Sequence, residues 1–350
     1  MACCSAPVHG LPDSLFGPEV HYNETTGLMN GSIRIAVDDD DLLGEGGFAE
    51  VRPASLPGAE AIVAKMIDKG DENHHLVIEE ARVCLQLRHP NIVACFGAAQ
   101  TSGYAVLFFE RIEGCTLAQW AYNYKSLYKY NPLEEDIQPL MWQIFQALHY
   151  LQTKCLVHAD LYENNVMIAE KNKAILIDFG WVKTFNPEKP GMERKSDYAY
   201  PPEMVDKQLG IDHKCDIFLC ASMFYEVLFN KGPFGVVVGV NVPDQLNIVR
   251  AGMCEEPWTV FVGPERSSQP LRDLLHRCLA YDANDRPCAA DALRFAWFDS
   301  GNWTKLVPKL REYKSYTPLN HPSQLERTVV ENLSCAWGLP KDHVIDNILS

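Results

Sequence analysis

The chain has 350 residues, a hydrophobic content of 47% and a net charge of -15 at pH 7. Its length permits a large core in one or two domains, and its acidic balance argues against binding to nucleic acid or to an anionic membrane. The twelve cysteines form no CxxC repeat, no apolar run approaches the roughly 20 residues of a membrane span, and no signal-type segment opens the sequence. We therefore expect reduced thiols in the cytoplasm or, alternatively, the nucleus.

Sequence patterning divides the chain into three parts. Residues 1–37 contain Pro, Gly and Asn with little periodicity, which predicts an N-terminal extension. Residues 38–110 alternate short apolar runs with turns, whereas residues 114–298 show helical spacing, which predicts a small strand-rich lobe and a larger helical lobe. Residues 299–350 contain two short amphipathic segments and predict a helical tail. The tail either packs back on the chain or docks a partner.

A glycine turn joins the first two predicted strands of the smaller lobe. Gly44, Gly46 and Gly47 lie between Leu43 and Val51. Glycine allows a backbone to approach phosphate closely, and the backbone N–H groups of such a turn can bind anionic oxygens. Alone, the turn is more typical of an ordinary hairpin, so a role in phosphate binding can be inferred only together with the next strand.

That next strand is apolar and carries one lysine, Lys65. A lysine in this position either extends its amine to solvent or is buried and needs an anionic partner. On the following predicted helix we favour Glu80 over Glu79 as that partner, because Cys84, four residues later, lies on the apolar face. The alternative is a solvent-facing glutamate unrelated to the lysine.

Three oxygen-bearing side chains follow apolar runs in the larger lobe. Asp160 and Asn165 lie in the loop after Leu156 and Val157, and Asp178 ends the run that begins at residue 174. A single Asp at a strand end is usually a turn residue. Three such groups together suit Mg²⁺, which prefers oxygen ligands and is needed where charge develops on phosphate.

These motifs, in this order and spacing, resemble those of the eukaryotic-type protein kinase family over roughly residues 40–298. The resemblance implies an α+β fold of two lobes, namely a small antiparallel-sheet N-lobe with one helix and a larger, mainly helical C-lobe. It extends to further segments: residues 88–93 after the regulatory helix, the hinge Phe109-Glu110-Arg111-Ile112 with Phe109 as gatekeeper, Pro202-Glu203, Asp216, and Arg286 as the buried partner of Glu203.

The resemblance also implies roles, with ATP and Mg²⁺ as cofactors and a protein as substrate. Asp160 would be the catalytic base, Lys65 and Glu80 would form an ion pair near the phosphates, and Asn165 and Asp178 would bind Mg²⁺. The nucleotide would be bound by the following residues: Leu43, Gly44, Gly46, Gly47, Val51, Ala64, Lys65, Phe109, Glu110, Ile112 and Asp178.

The catalytic loop departs from the family pattern at two positions. Ala159 stands where most members have an arginine that pairs with a phosphorylated residue, which predicts regulation by another route. Tyr162 replaces a charge-stabilising lysine, and Asn164 supplies no arginine either; loss of one such donor costs a rate factor of about a hundred to a thousand. A hydroxyl from Tyr162 would recover part of this loss.

The sequence therefore leaves three functions open. The preferred one is transfer of the ATP γ-phosphoryl group to Ser or Thr of a protein, with Ser196 placed where Ser/Thr-specific members carry a hydroxyl. The second is a nucleotide-binding pseudokinase that acts as a scaffold or allosteric regulator. The third is a small-molecule phosphotransferase, because that class also has a small residue and no lysine in this loop.

Overall fold

The computed structural model describes residues 19–29, 33–45, 49–55, 62–71, 74–184, 201–205, 211–233 and 267–299. The described residues belong to two compact units. An N-terminal unit contains the residues up to 112 together with 179–181, and a C-terminal unit contains residues 113–178 and those after 181. In the described part of the chain, no helix is both long enough and apolar enough to cross a membrane.

The N-terminal unit is built on one antiparallel sheet. The strands pair in the order β1-β2-β3-β5-β6-β8-β7, with β4 added beside β5. One helix, α1 (His74–Cys84), follows β6. The strands are β1 (Tyr22–Asn23), β2 (Leu28–Met29), β3 (Ile33–Ile35), β4 (Gly44–Glu45), β5 (Ala49–Ser55), β6 (Ile62–Asp68), β7 (Cys95–Gln100) and β8 (Tyr104–Glu110).

Part of the predicted N-terminal extension belongs to this sheet. Residues 22–35 form β1, β2 and β3, and β3 pairs with β5 through Ile35 and Ala54. Before these strands, the amide of Val20 donates to the carbonyl of Gln100 in β7 (2.9 Å). The described residues of the extension are thus continuous with the sheet rather than separate from it.

Alternation of side chains along β6 explains its central place. Ile62, Ala64 and Met66 are buried on one face, as expected for a strand with neighbours on both sides. Lys65 points to the other face, opposite Val51 of β5 and Leu107 of β8. The apolar face of the sheet therefore fixes the register, and the register fixes where the lysine lies.

The C-terminal unit is mainly helical. Its core helices are α3 and α5, and almost every side chain of α5 is buried. The helices are α2 (Leu117–Tyr128), α3 (Glu134–Thr153), α4 (Pro202–Val205), α5 (Lys214–Phe229), α6 (Gln269–Cys278) and α7 (Ala289–Ala292). The residues that predicted α3, at three- and four-residue steps, are all buried: Leu140, Ile144, Leu148 and Leu151.

Short strands frame the loops of this unit. They are β9 (Gly114–Thr116), β10 (Leu156–Val157), β11 (Val166–Ala169), β12 (Lys173–Leu176) and β13 (Lys183–Thr184). All pair antiparallel, β11 between β9 and β12, and β10 with β13. A sheet unit with one helix and a helical unit with small ribbons agree with the predicted α+β class.

Candidate active site

The N-terminal unit contains the predicted ion pair. Lys65 on β6 donates from Nζ to both carboxylate oxygens of Glu80 on α1, at 2.7 and 2.9 Å. Glu80 is buried, and the Lys65 side chain is 14% exposed. A carboxylate in this environment requires a cation, so the pair holds the ammonium at one place on the sheet.

The beginning of the glycine turn lies beside the same strands. The amide of Leu43 donates to the carbonyl of Val51 (2.9 Å), and Gly44 pairs with Val51 in the sheet. Among the described residues, a Cβ built on Gly44 would meet no atom within 4 Å, so no contact within that part of the chain requires a glycine there. Gly46 and Gly47 lie outside the described residues.

The remaining predicted nucleotide contacts of this unit lie on or after the central strands. Ala64 and Phe109 are buried, and Ile112 is half-buried in the segment after β8. The Glu110 carboxylate has a structural role, because its Oε1 accepts a hydrogen bond from the amide of Ala94 (2.8 Å). The Glu110 amide donates in turn to the Ala94 carbonyl (2.9 Å), which fixes the end of β8.

In the C-terminal unit, a buried aspartate on α5 anchors the catalytic loop. Asp216 accepts from the amides of His158 and Ala159, each at 2.8 Å. Burial raises the pKa of Asp216 to about 7, although the two amide donors lower it. Ala159 has a φ of 61°, an unfavourable backbone conformation for a residue with a Cβ. The two hydrogen bonds hold the loop in this conformation.

The ring of His158 supports the loop from inside. Its Nδ1 accepts from the amide of Asp160 (3.3 Å), so Nε2 carries the proton and donates to the carbonyl of Ile177 (3.3 Å). The neutral Nε2-protonated tautomer thereby links the Asp160 segment to the residue that precedes Asp178. In the sequence, the position of the histidine shortly before Asp160 is the one sign of this role.

Asp160 and Asn165 are in direct contact. The Asn165 amide donates from Nδ2 to the Asp160 carbonyl (2.8 Å) and to Asp160 Oδ2 (3.2 Å). This orientation uses the amide nitrogen within the loop, so the Asn165 side-chain oxygen is the atom that could bind a metal. The Asn165 carbonyl also accepts from the amide of Ile177 (2.9 Å).

Asp178 is the residue after Ile177, whose amide donates that hydrogen bond. Its φ is 59°, in the left-handed region, which aspartate tolerates better than most residues with a Cβ do. One carboxylate and one amide oxygen suit Mg²⁺, which completes its shell with water and phosphate oxygens. No group of three His, Cys, Asp or Glu side chains in the described part could hold a metal alone. The donor set therefore fits a metal that binds together with a nucleotide.

Tyr162 is half-buried and directly precedes a short 3₁₀ turn, Glu163–Asn165. Asn164 is exposed, and its Oδ1 accepts from Thr116 Oγ1 (3.4 Å). Neither residue supplies a cation. Ser196 lies outside the described residues.

The predicted pair of Glu203 and Arg286 is enclosed within the C-terminal unit. Arg286 Nη2 donates to Glu203 Oε2 (2.9 Å), and Nη1 donates to the other carboxylate oxygen. The guanidinium also lies 4.8 Å from the ring centroid of Phe218. This bidentate pair fixes α4 to the segment before α7.

Comparison with known proteins agrees with this geometry. The family model "Protein kinase domain" matches residues 37–298. Sperm motility kinase 1 of Mus musculus is 26% identical over 75% of the chain and 51% of its own length. Calcium-dependent protein kinase 3 of Plasmodium berghei (strain Anka) is also 26% identical, over 75% of the chain and 47% of its own length. The chain thus spans about half the length of these curated relatives. Since the family model covers most of the chain, the chain belongs to the protein kinase family.

Proposed function

We propose that the chain transfers the γ-phosphoryl group of ATP to Ser or Thr hydroxyls of a protein substrate. The observation that carries the proposal is the catalytic loop, in which Asp160 and Asn165 contact each other and Asp216 holds the preceding backbone. A base and a metal-binding oxygen held by one loop are what in-line phosphoryl transfer requires. The proposed place of action is the cytoplasm.

In this reaction the side chains of the C-terminal unit orient the substrate and the phosphates. Asp160 accepts a hydrogen bond from the substrate hydroxyl and directs its oxygen toward phosphorus. Asn165 and Asp178 would hold Mg²⁺, which supplies positive charge to the phosphate oxygens when it is bound. His158 keeps Asp160 in place through the backbone and does not itself exchange a proton.

In the N-terminal unit, Lys65 would bind phosphate oxygens while Glu80 fixes its ammonium. Gly44, at the start of the glycine turn, would let the backbone lie close to phosphate. The backbone of residues 109–112 would meet the adenine. These roles follow from membership of the family and from the positions of the residues in the unit.

Tyr162 supports a second candidate, a pseudokinase that binds nucleotide without efficient transfer. At this position a lysine would stabilise the charge of the transferred group, and a tyrosine can donate only a neutral hydrogen bond. Transfer is nevertheless our first proposal, because Asp160, Asn165, Asp178 and Lys65 are all present.

The test is incubation with labelled ATP, Mg²⁺ and generic protein substrates, followed by phosphoamino-acid analysis. Asp178→Ala should lower label transfer by about a thousandfold or more, since it removes a metal-binding carboxylate. Asp273→Ala is the matched control, because Asp273 is an exposed aspartate of the same unit on α6. Transfer that survives in Asp178→Ala would overturn the metal role. Absence of transfer by the wild type, with ATP still raising its melting temperature, would favour the pseudokinase.

A further inference from the structure

A cleft of about 700 Å³ opens in the C-terminal unit between the start of α3, the end of α5 and the start of α6. Part of its lining is apolar. Tyr130 and Leu133 are 49% and 45% exposed, and Leu228 and Phe229 lie at the end of α5. Exposed aromatic and aliphatic side chains around a concave surface are typical of a binding site for a peptide segment.

Another part of the lining is acidic. Glu134 and Glu135 line it, and none of the described lining residues is basic. Glu134 is held in place, because its Oε2 accepts from Ser268 Oγ (2.7 Å) and from Trp297 Nε1 (3.0 Å). Glu135 is exposed. An occupant that combines apolar side chains with cations would complement both parts of the lining.

The hydrogen bond from Trp297 also shows where the described part of the chain ends. Trp297 lies in a short 3₁₀ helix, Ala296–Asp299, and Asp299 is the last residue of the described part. The described part of the chain therefore ends two residues after a direct contact with Glu134. Lys305 lies six positions after Asp299, and an extended chain of that length reaches up to about 20 Å.

The sequence that follows has the complementary chemistry. Residues 303–311 read Trp-Thr-Lys-Leu-Val-Pro-Lys-Leu-Arg, and we name them the basic segment. Lys305, Lys309 and Arg311 alternate with Leu306, Val307 and Leu310, and the segment contains no acidic residue. Pro308 limits the conformations of the free segment and lowers the entropy cost of binding, and prolines pack well against aromatic rings.

We propose that the basic segment docks in the cleft of its own chain, with its apolar side chains against Tyr130 and Leu133 and its cations toward Glu135. The short connection from Trp297 gives the segment a high effective concentration at the cleft, in the millimolar range for linkers of this length. Docking in the same chain is thus favoured over docking on a second copy. The inference holds whether or not the chain transfers phosphate.

Hydrogen–deuterium exchange on the full-length chain tests the proposal. Amides of the basic segment should exchange at least about tenfold more slowly than those of a free peptide of residues 303–311. Glu135→Lys should remove the protection, and so should joint reversal of Lys305, Lys309 and Arg311 to Glu. Glu170→Lys and Lys341→Glu are the matched controls for the cleft and the segment, and both should retain it.

A second measurement uses the same peptide carrying a fluorophore. It should bind the full-length triple-reversal variant, whose cleft is vacated, and should bind the wild type at least about tenfold more weakly because the cleft is filled. Exchange of the basic segment at the free-peptide rate in the wild type would overturn the proposal. Protection that rises with protein concentration would overturn it as well, in favour of docking on a second copy. Equal loss of protection in Glu170→Lys would overturn the proposal too, because the effect of Glu135→Lys would then be a general effect of charge.

Discussion

The two predicted ion pairs, one in each unit, differ in how far the protein encloses them. The guanidinium of Arg286 is 0% exposed, and besides Glu203 it donates to three backbone carbonyls. The Lys65 side chain is 14% exposed, and its ammonium binds Glu80 from a strand beside the glycine turn. Both are cations paired with a buried carboxylate.

The difference separates a pair that maintains the fold from a pair that can act on a ligand. A fully enclosed cation can interact only with the groups around it, so Arg286 has a structural role. A cation held by a buried carboxylate but still reached by solvent can also bind phosphate. The comparison predicts that substitution of Arg286 mainly lowers stability, whereas substitution of Lys65 mainly lowers activity.

The largest expected effect is on stability. Arg286→Leu leaves the buried Glu203 carboxylate without a cation and should lower the free energy of unfolding by about 3–5 kcal/mol. Urea denaturation followed by tryptophan fluorescence measures it. The control is Arg294→Leu, whose ion pair with Asp291 is exposed and should contribute about 0.5 kcal/mol or less. Similar losses in the two variants would contradict an enclosed structural pair.

The second effect is on activity. Lys65→Met should reduce transfer of labelled phosphate by about a hundred- to a thousandfold, because it removes a cation from the phosphates. Its loss of stability should be smaller than that of Arg286→Leu, since solvent still reaches the pair. Lys69→Met is the matched control, because Lys69 pairs on the same unit with the exposed Glu19 (2.8 Å). Unchanged transfer in Lys65→Met would assign this pair a structural role too.

The two pairs also differ in how they could be predicted. Helical periodicity alone favoured Glu80 over Glu79 as the partner of Lys65, since the apolar face of the helix fixes which glutamate turns inward. The pair of Arg286 and Glu203 followed only from the family resemblance. The two residues are 83 positions apart, and no local pattern connects them.

Other features gave no sequence signal for physical reasons. Strands β1 to β3 contain only two or three residues each, too few to show alternation, so residues 22–35 resembled an extension. The bond from Ala94 to the Glu110 carboxylate depends on how the segment before β7 meets the end of β8. The placement of Glu134 in the cleft depends on its hydrogen bonds with Ser268 and Trp297, each more than 130 positions away in the sequence.

The third prediction extends the comparison to the catalytic loop, where a cation is missing. Tyr162→Lys should raise the rate of phosphoryl transfer by about tenfold or more, because an ammonium stabilises developing charge better than a hydroxyl does. Tyr162→Phe tests the hydroxyl itself and should lower the rate. A Tyr162→Lys variant no faster than the wild type would show that the loop does not need this charge.

The smallest effect concerns two carboxyl groups that are close to each other. Burial, together with a smaller contribution from the charge of Glu163, raises the pKa of Glu226 on α5 to about 7. Burial likewise raises the pKa of Glu163, whose Oε2 is buried without a hydrogen-bond partner in the described part of the chain. Here the fold neutralises a buried carboxylate with a proton instead of a lysine or an arginine.

The sign of the resulting pH dependence follows from the two pKa values. An unfolded glutamate titrates near 4.3, so between about pH 4.3 and 7 the native state holds a proton that the unfolded state has lost. The stability from this proton is complete below that range and is lost as the pH rises through 7. Glu226→Gln keeps the neutral form at every pH. It should therefore stabilise the protein by about 1–2 kcal/mol at pH 8 and change little at pH 5, as measured by urea denaturation at both values. Glu170→Gln, at an exposed residue, should show no difference between the two pH values. An equal effect of Glu226→Gln at both pH values would mean that Glu226 is ionised throughout.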